Sequence, residues 1–425
     1  MNETTSVHSQ GLEPPIGACG VNLTVTSLLL AAVVLGPLAS MQGAGSMAVG
    51  VLTVSVGFVF LALLVGRRAD SFRRVDDTWR TALVILIVVV GSTGLSFLSQ
   101  PDVDASRSLA SVGLLFAFVA GSLCQLFLVS QIEEGRFDDA VRKVWLILAI
   151  AGVMGVFHIS PFSSIHLKAV VFFNEPSHYA LSFLPFAAYM SARSSMRWRI
   201  FHIAVIVILA LALENLTLLV GAGLISLLTL RIKSFVLMMP LVAVSIVSAG
   251  IDYYSSRLDF SQDSTNFSTL VYISGWERAY IAIRDTYGLG LGFQQFGVFG
   301  DQGEVSKVIF QFAGSHLNVL DGGTVGAKFI GEFGIIGVIA LISYLYFAFR
   351  TGIYVKRTIE FHHSSKDLFF ACCFLMFSID IFIRGVAYFS SSGQLFMTSL
   401  LWLGSGGFAA LGAGSPFRNS TEAAA

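Results

Sequence analysis

Apolar runs of about 20 residues recur along most of the chain, separated by short polar connections, and they are continuously apolar rather than alternating. Runs of that kind predict membrane-spanning helices, because a helix of about 20 residues crosses a hydrocarbon core roughly 30 Å thick and satisfies its own backbone there. The alternation that a barrel strand requires is absent. The pattern predicts an all-α polytopic membrane protein with about twelve transmembrane helices, at 22–40, 44–66, 81–99, 109–130, 144–160, 178–192, 201–213, 218–230, 234–251, 328–349, 367–387 and 393–412. The chain thus divides into a tail at 1–21, nine spans within 22–251, one large polar loop at 252–327, three spans within 328–412, and a second tail at 413–425. Within 201–230 the polar Glu214-Asn215-Leu216-Thr217 break predicts two short spans. A single long helix there would carry Arg231 and Lys233 to the opposite side.

Basic residues orient the spans, since Lys and Arg concentrate in cytoplasmic loops. The connections that fall on one side carry Arg67, Arg68, Arg73, Arg74 and Arg80, then Arg136, Arg142 and Lys143, then Arg193, Arg197 and Arg199. Arg231, Lys233, Arg350, Lys356, Arg357 and Lys366 continue that side, whereas the other side's short loops hold little beyond Arg107 and Lys168. Both termini are therefore expected in the cytoplasm and the 252–327 loop outside. The first twenty residues contain no Lys or Arg, so the first run is read as a span rather than a secretory signal.

Composition agrees: 55% of the 425 residues are hydrophobic, 12% are charged, and mean hydropathy is +0.77. A net charge of zero gives no indication of a nucleic-acid partner. Four cysteines are too few and too scattered for a disulfide framework, and Cys124, Cys372 and Cys373 lie in apolar runs as core thiols.

Candidate chemistry gathers on the outward side. The large loop carries Arg278, Arg284 and His316, with Trp276 and Tyr280 interleaved. Arginine suits a diphosphate because its planar fork donates paired hydrogen bonds and keeps its charge, and Trp and Tyr faces suit sugar rings. The same residues also fit an ordinary solvated loop at headgroup level. Gly288, Gly290 and Gly292 alternate, which requires either unusual backbone angles or close approach by another group; a tight turn at the membrane surface also satisfies the pattern. His316 has the resting acidity to take a proton from an attacking hydroxyl. In a second outward loop, Pro176 holds Glu175 extended at the mouth of the sixth span, with Lys168 and His178 on the same side. In the eleventh span Asp380 and Arg384 stand four apart. They either pair with one another or free Arg384 to reach a lipid-linked phosphate. No Walker loop or metal cluster is present, so the reaction's energy is expected to come from the substrate, with no metal and no cofactor.

Phe172-Phe173-Asn174-Glu175-Pro176-Ser177, Arg278 followed by Gly288-Leu289-Gly290-Leu291-Gly292, His316, and Glu332-Phe333-Gly334-Ile335-Ile336-Gly337 together resemble the bacterial O-antigen polymerase and ligase superfamily, Wzy and WaaL. The resemblance implies a GT-C-like membrane glycosyltransferase of the bacterial inner membrane. It would act at the periplasmic face on a glycan carried by undecaprenyl pyrophosphate, in lipopolysaccharide or polysaccharide biosynthesis, with a chain-length regulator as a possible partner. Three departures favour a polymerase over a ligase: Lys168 stands where many members have Arg, the 214–217 break lacks their Ser-Arg, and Leu317 separates His316 from Asn318. The mechanism expected is a single inverting displacement, with Arg278, Arg284 and Arg384, helped by Lys168, on the pyrophosphate and His316 or Glu175 as base. A rival from another class is a transporter or flippase, whose halves would match and whose polar groups would sit at the midplane.

Overall fold

The computed structural model describes residues 18–42, 46–65, 76–100, 102–159, 161, 169–236, 253–257, 259, 266–359 and 364–404. Lys168, the expected ninth span from residue 237 on, Arg67, Arg68, Arg73 and Arg74, and most of both tails lie outside the described residues. Among the described residues every regular element is a helix. The first five are α1 (Ala18–Met41), α2 (Met47–Val65), α3 (Asp76–Ser99), α4 (Ala105–Ser130) and α5 (Glu134–Val156). Next come α6 (Pro176–Arg193), α7 (Met196–Ala212) and α8 (Leu216–Thr229). The large loop supplies α9 (Phe267–Asp285) and α10 (Glu304–Ala313), and the chain closes with α11 (Val325–Thr358), α12 (Ser365–Phe382) and α13 (Ser391–Trp402).

Among the described residues, four helical segments are long and apolar enough to cross a membrane: Met47–Val65, Thr78–Ser99, Ala105–Ser130 and Val325–Thr358. Val25–Met41 and Leu216–Thr229 are shorter apolar helices. Leu52, Val56 and Phe60 on α2, Leu83 and Ile87 on α3, and Ile339, Ile342 and Phe349 on α11 all face outward. So large an apolar exterior is unfavourable in water and is what lipid requires, so this is a helical membrane protein.

Two helices have no exposed face at all along most of their length. Every residue of α6 from Tyr179 to Ala192 is buried, as is every residue of α12 from Leu368 to Phe377. Helices apolar all round belong at the centre of a bundle. They pack on each other, with Phe186 and Tyr189 of α6 meeting Phe369 of α12 at ring separations of 5.3 and 5.8 Å. Since the end of α6 meets the start of α12, the start of α6 and the end of α12 lie together at the opposite end of the bundle.

The end where α6 finishes is the basic one. Arg199 donates to the carbonyls of Ser191, Ser194 and Thr229, closing the C-terminal ends of α6 and α8. Lys366 donates to the carbonyls of Ser130 and Ile132, while the Glu134 carboxylate accepts from the backbone N–H groups of Ser365 and Lys366. The break expected within 201–230 is present: Glu214 takes a left-handed φ of +48°, and the Asn215 side chain caps α8 by accepting from Leu218 N at 3.2 Å. Deep in the bundle, Gln394 of α13 donates to Ser122 of α4 at 3.0 Å, and Thr398 donates to Gln125 at 2.7 Å.

The Gly-x-Gly-x-Gly segment completes the opposite end. α11 is broken at Gly334, whose φ of +57° and ψ of −130° take the backbone out of helix. The carbonyls of Gly331 and Glu332, deprived there of partners further along the helix, accept instead from Leu291 N and Gly292 N, each at 2.9 Å. In return Ile335 N donates to the Gly288 carbonyl at 2.8 Å. Gly288, Gly290 and Gly292 have φ of +90°, +80° and +95°, so both sequence readings, unusual angles and close approach, hold together. A Cβ on Gly290 would lie 2.5 Å from both the Glu332 carbonyl oxygen and Gly334 N. Gly290→Ala is therefore expected to destabilise the protein by about 3 kcal/mol or more, read as a lowered thermal midpoint in detergent. Tyr287→Ala, at a residue 95% exposed, should leave the stability within about 0.5 kcal/mol of the wild type.

Candidate functional site

The junction of the two central helices carries the first pair of charges. A tight turn in which Val170 and Phe173 exchange backbone hydrogen bonds of 2.8 and 2.9 Å delivers the chain to Glu175, and Pro176 opens α6. Glu175 is consequently extended, with φ −138° and ψ 150°. Its Oε2 accepts from Arg384 Nη2 at 3.3 Å and from Ser177 Oγ at 3.0 Å, and lies 4.0 Å from His178 Nε2. Arg384 reaches it because α12 stops at Phe382, two residues short of Arg384. Of the two readings of Asp380 and Arg384, the mutual pair is not the one formed: Asp380 is buried and accepts from Ser392 Oγ at 2.9 Å. Partial burial works to raise the Glu175 carboxyl, but the charges of His178 and Arg384 and the Ser177 hydrogen bond outweigh it and hold the group below the usual Glu value. About half of the Glu175 side chain remains open to solvent.

A loop from the large outward segment closes over this pair. Arg278 Nη1 donates to the Val319 carbonyl at 2.8 Å, Lys328 Nζ to the Leu320 carbonyl at 2.6 Å, and Gly385 N to the Gly323 carbonyl at 2.9 Å. Held by these three bonds, half-buried Asp321 faces Lys328, Arg384 and Arg107. Burial raises its carboxyl above the usual Asp value, and the three cations oppose that shift without cancelling it. Lys328 is 2% exposed and lies 3.8 Å from the Glu332 carboxylate, which is 0% exposed. Its Nζ also sits 5.3 Å from the centre of the Tyr388 ring and 3.3 Å from Gln294 Oε1. Arg107 Nε donates to the Gln294 carbonyl at 2.8 Å. Asp321 was not among the residues the sequence singled out. The readable signal was Asp321-Gly322-Gly323, a charged residue before two glycines of φ +63° and +69° at the entrance to a helix.

The other expected site residues fall elsewhere. Arg278 lies over the Phe296 ring at 4.4 Å, and burial pushes its guanidinium down to about 10, with Glu277 working against the shift. It lines a cavity of about 330 Å³ that it shares with Asp102, Asp285 and Asp301. Arg284 is exposed and bonded to Asp285 at 2.7 Å. Trp276 packs beside Ala279 and Phe296, and Tyr280 is exposed. His316 Nδ1 shares a 3.1 Å hydrogen bond with Ser306 Oγ, and its ring tilts over Phe310. The imidazole is thus set by α10, not by the helix mouths that hold Glu175. Glu277, which also belongs to α9, caps α10 by accepting from Glu304 N and Val305 N at 3.0 Å each.

No family model, curated protein or solved structure matches this chain.

The Glu175–Arg384 contact has a titration signature. In the Arg384→Ala protein the Glu175 carboxyl should titrate higher than in the wild type, because one of the charges holding it down is gone. Infrared difference titration of the carboxyl band reads this, and an unchanged Glu175 would refute the pairing. In the wild type the stabilisation from Glu175 is present above the ordinary Glu value and is lost as pH falls through its lowered folded value.

Proposed function

We propose that the protein is a glycan polymerase of the Wzy type. It would transfer a growing chain from undecaprenyl pyrophosphate to a lipid-linked repeat unit at the periplasmic face of a bacterial inner membrane. In this reading the chain has about twelve spans in a GT-C-like arrangement, with the basic end and both termini cytoplasmic. The observation that carries it is the half-exposed Glu175–Arg384 pair, set where two buried central helices meet, with Lys328, Arg107 and Asp321 about it.

At rest the two closest cations are matched by carboxylates, Arg384 by Glu175 and Lys328 by Glu332. An incoming pyrophosphate competes with Glu175 for the guanidinium, and its two charges and many acceptor oxygens favour it. Once Arg384 turns to the phosphate, Glu175 loses the partner that weakened it as a base. Glu175 then takes the proton of the acceptor hydroxyl, the hydroxyl oxygen bonds to the anomeric carbon, and the bond from that carbon to the pyrophosphate oxygen breaks. Its electron pair leaves with the pyrophosphate, where Arg384, Arg107 and Lys328 stabilise the charge. Asp321 positions these three cations. Glu175 is preferred to His316 as the base because it shares a guanidinium with the leaving group's side of the site.

The assay is polymerisation of purified lipid-linked repeat units by the purified protein. Glu175→Gln is expected to slow transfer by about 10²–10⁴-fold, and His316→Ala by no more than about tenfold. Full polymerisation by Glu175→Gln would sink the assignment. Transfer to lipid A core in place of a repeat unit would identify a ligase, and uptake or flipping with no bond made would identify a transporter.

A further inference from the structure

The cavity of about 330 Å³ beside α9 lies at the lower end of the size range of small-molecule sites, roughly 300–1,000 Å³. Its walls come from the end of α3 and the residues just after it, from α9 and from the glycine-rich segment, and side chains at the end of α3 are hydrogen-bonded to the backbone of that segment. Ser96 Oγ donates to the Leu291 carbonyl at 2.9 Å, and Gln100 Nε2 donates to the Gly290 carbonyl at 3.0 Å. The cavity is therefore preformed.

Two buried polar atoms on its walls lack a hydrogen-bond partner: the acceptor Gln100 Oε1 and the donor Arg278 Nε. The Arg278 residue is only 5% exposed, and an unmade bond at such a group costs free energy until something supplies it. The rest of the charge on the walls is negative, from Asp102, Asp285 and Asp301. Phe296 and Phe299 provide flat apolar surface. With Asp285 paired to Arg284 at 2.7 Å, Asp102 and Asp301 stand against the one guanidinium on the walls and still repel a phosphate. Carboxylates and an orphaned amide oxygen ask for donors, while Arg278 Nε asks for one acceptor. A sugar hydroxyl is both donor and acceptor, and the C–H face of a pyranose packs on aromatic rings.

We propose that this cavity binds an uncharged sugar residue of the glycan, separate from the cationic mouth at Arg384 that takes the pyrophosphate. The identification of the sugar as part of a transferred glycan rests on the function proposed above; the existence of the sugar site rests on the cavity. It reassigns Arg278 from phosphate to carbohydrate contact.

The test is saturation-transfer NMR on the purified full-length protein in detergent. The probes are methyl glucoside, methyl galactoside, N-acetylglucosamine and rhamnose, with inorganic pyrophosphate as competitor. At least one sugar is expected to bind, and Gln100→Ala should weaken it about tenfold, as loss of a bond to a buried group does. Gln100 also tethers Gly290, so Asp301→Asn, at an exposed rim position, provides a second variant with the fold intact and should weaken the same sugar severalfold. Pyrophosphate should leave sugar binding unchanged. The inference is overturned if no probe sugar binds, if neither substitution weakens binding, or if pyrophosphate displaces the sugar. Sugar binding without glycan transfer would leave this site standing and remove the proposed function; transfer without sugar binding would do the reverse.

Discussion

The exchange of backbone hydrogen bonds between the glycine segment at 288–292 and the break in α11 is the contact on which the end of the bundle that holds Glu175 and Arg384 depends. A helix interrupted at Gly334 inside a membrane protein leaves carbonyls and an N–H without partners, and in a water-poor setting each such group costs several kcal/mol. The segment supplies those partners in register, two N–H groups to Gly331 and Glu332 and one carbonyl to Ile335. Only glycines allow both the positive φ angles and the distance of approach. Once docked, the segment fixes Gln294, which in turn holds Arg107 and Lys328. A backbone repair thus determines where two of the three mouth cations sit.

The remaining cation, Arg384, is placed by a different constraint. α6 and α12 are buried on all sides, so they occupy the middle of the bundle and run in opposite directions. Their adjoining ends bring together Glu175 and Arg384, which are 209 residues apart in sequence. The outward loop then covers this junction instead of standing apart from it, through Arg278, Lys328 and Gly385 bonds to the 319–323 turn. The loop is one wall of the site and the helix mouths are the others.

Helical membrane character, the break near Asn215 and the placement of Glu175 at the mouth of α6 were legible because each follows from local rules: run length, a capping residue and a proline. The alternating glycines were legible as a shaped element, but their partner was not, since nothing local states that a segment near 290 will repair a helix near 334. The same limit explains Asp321. Its importance comes from three cations contributed by α4, α11 and the end of α12, and no window of sequence contains them all. Arg278 and Arg384 read alike in sequence as arginines on one side of the membrane. Folding places one in a cavity wall with carboxylates and a phenyl ring, and sets the other in contact with a half-exposed carboxylate that an anion can displace.

That difference has a consequence for how the two regions can act. A cation whose only strong partner is a half-exposed carboxylate is available to an anion, because exchanging one acceptor for another costs little and the released Glu175 is rehydrated. Arg278 offers no such exchange: Nη1 is committed to Val319 and Gln302, and removing it from them would loosen the turn that holds Asp321. Its Nε makes no hydrogen bond, and the residue lines a weakly polar, net negative cavity suited to hydroxyls. The arginine that maintains the architecture is therefore left with a neutral ligand, and the arginine held by a replaceable partner is the one able to meet charge as it develops.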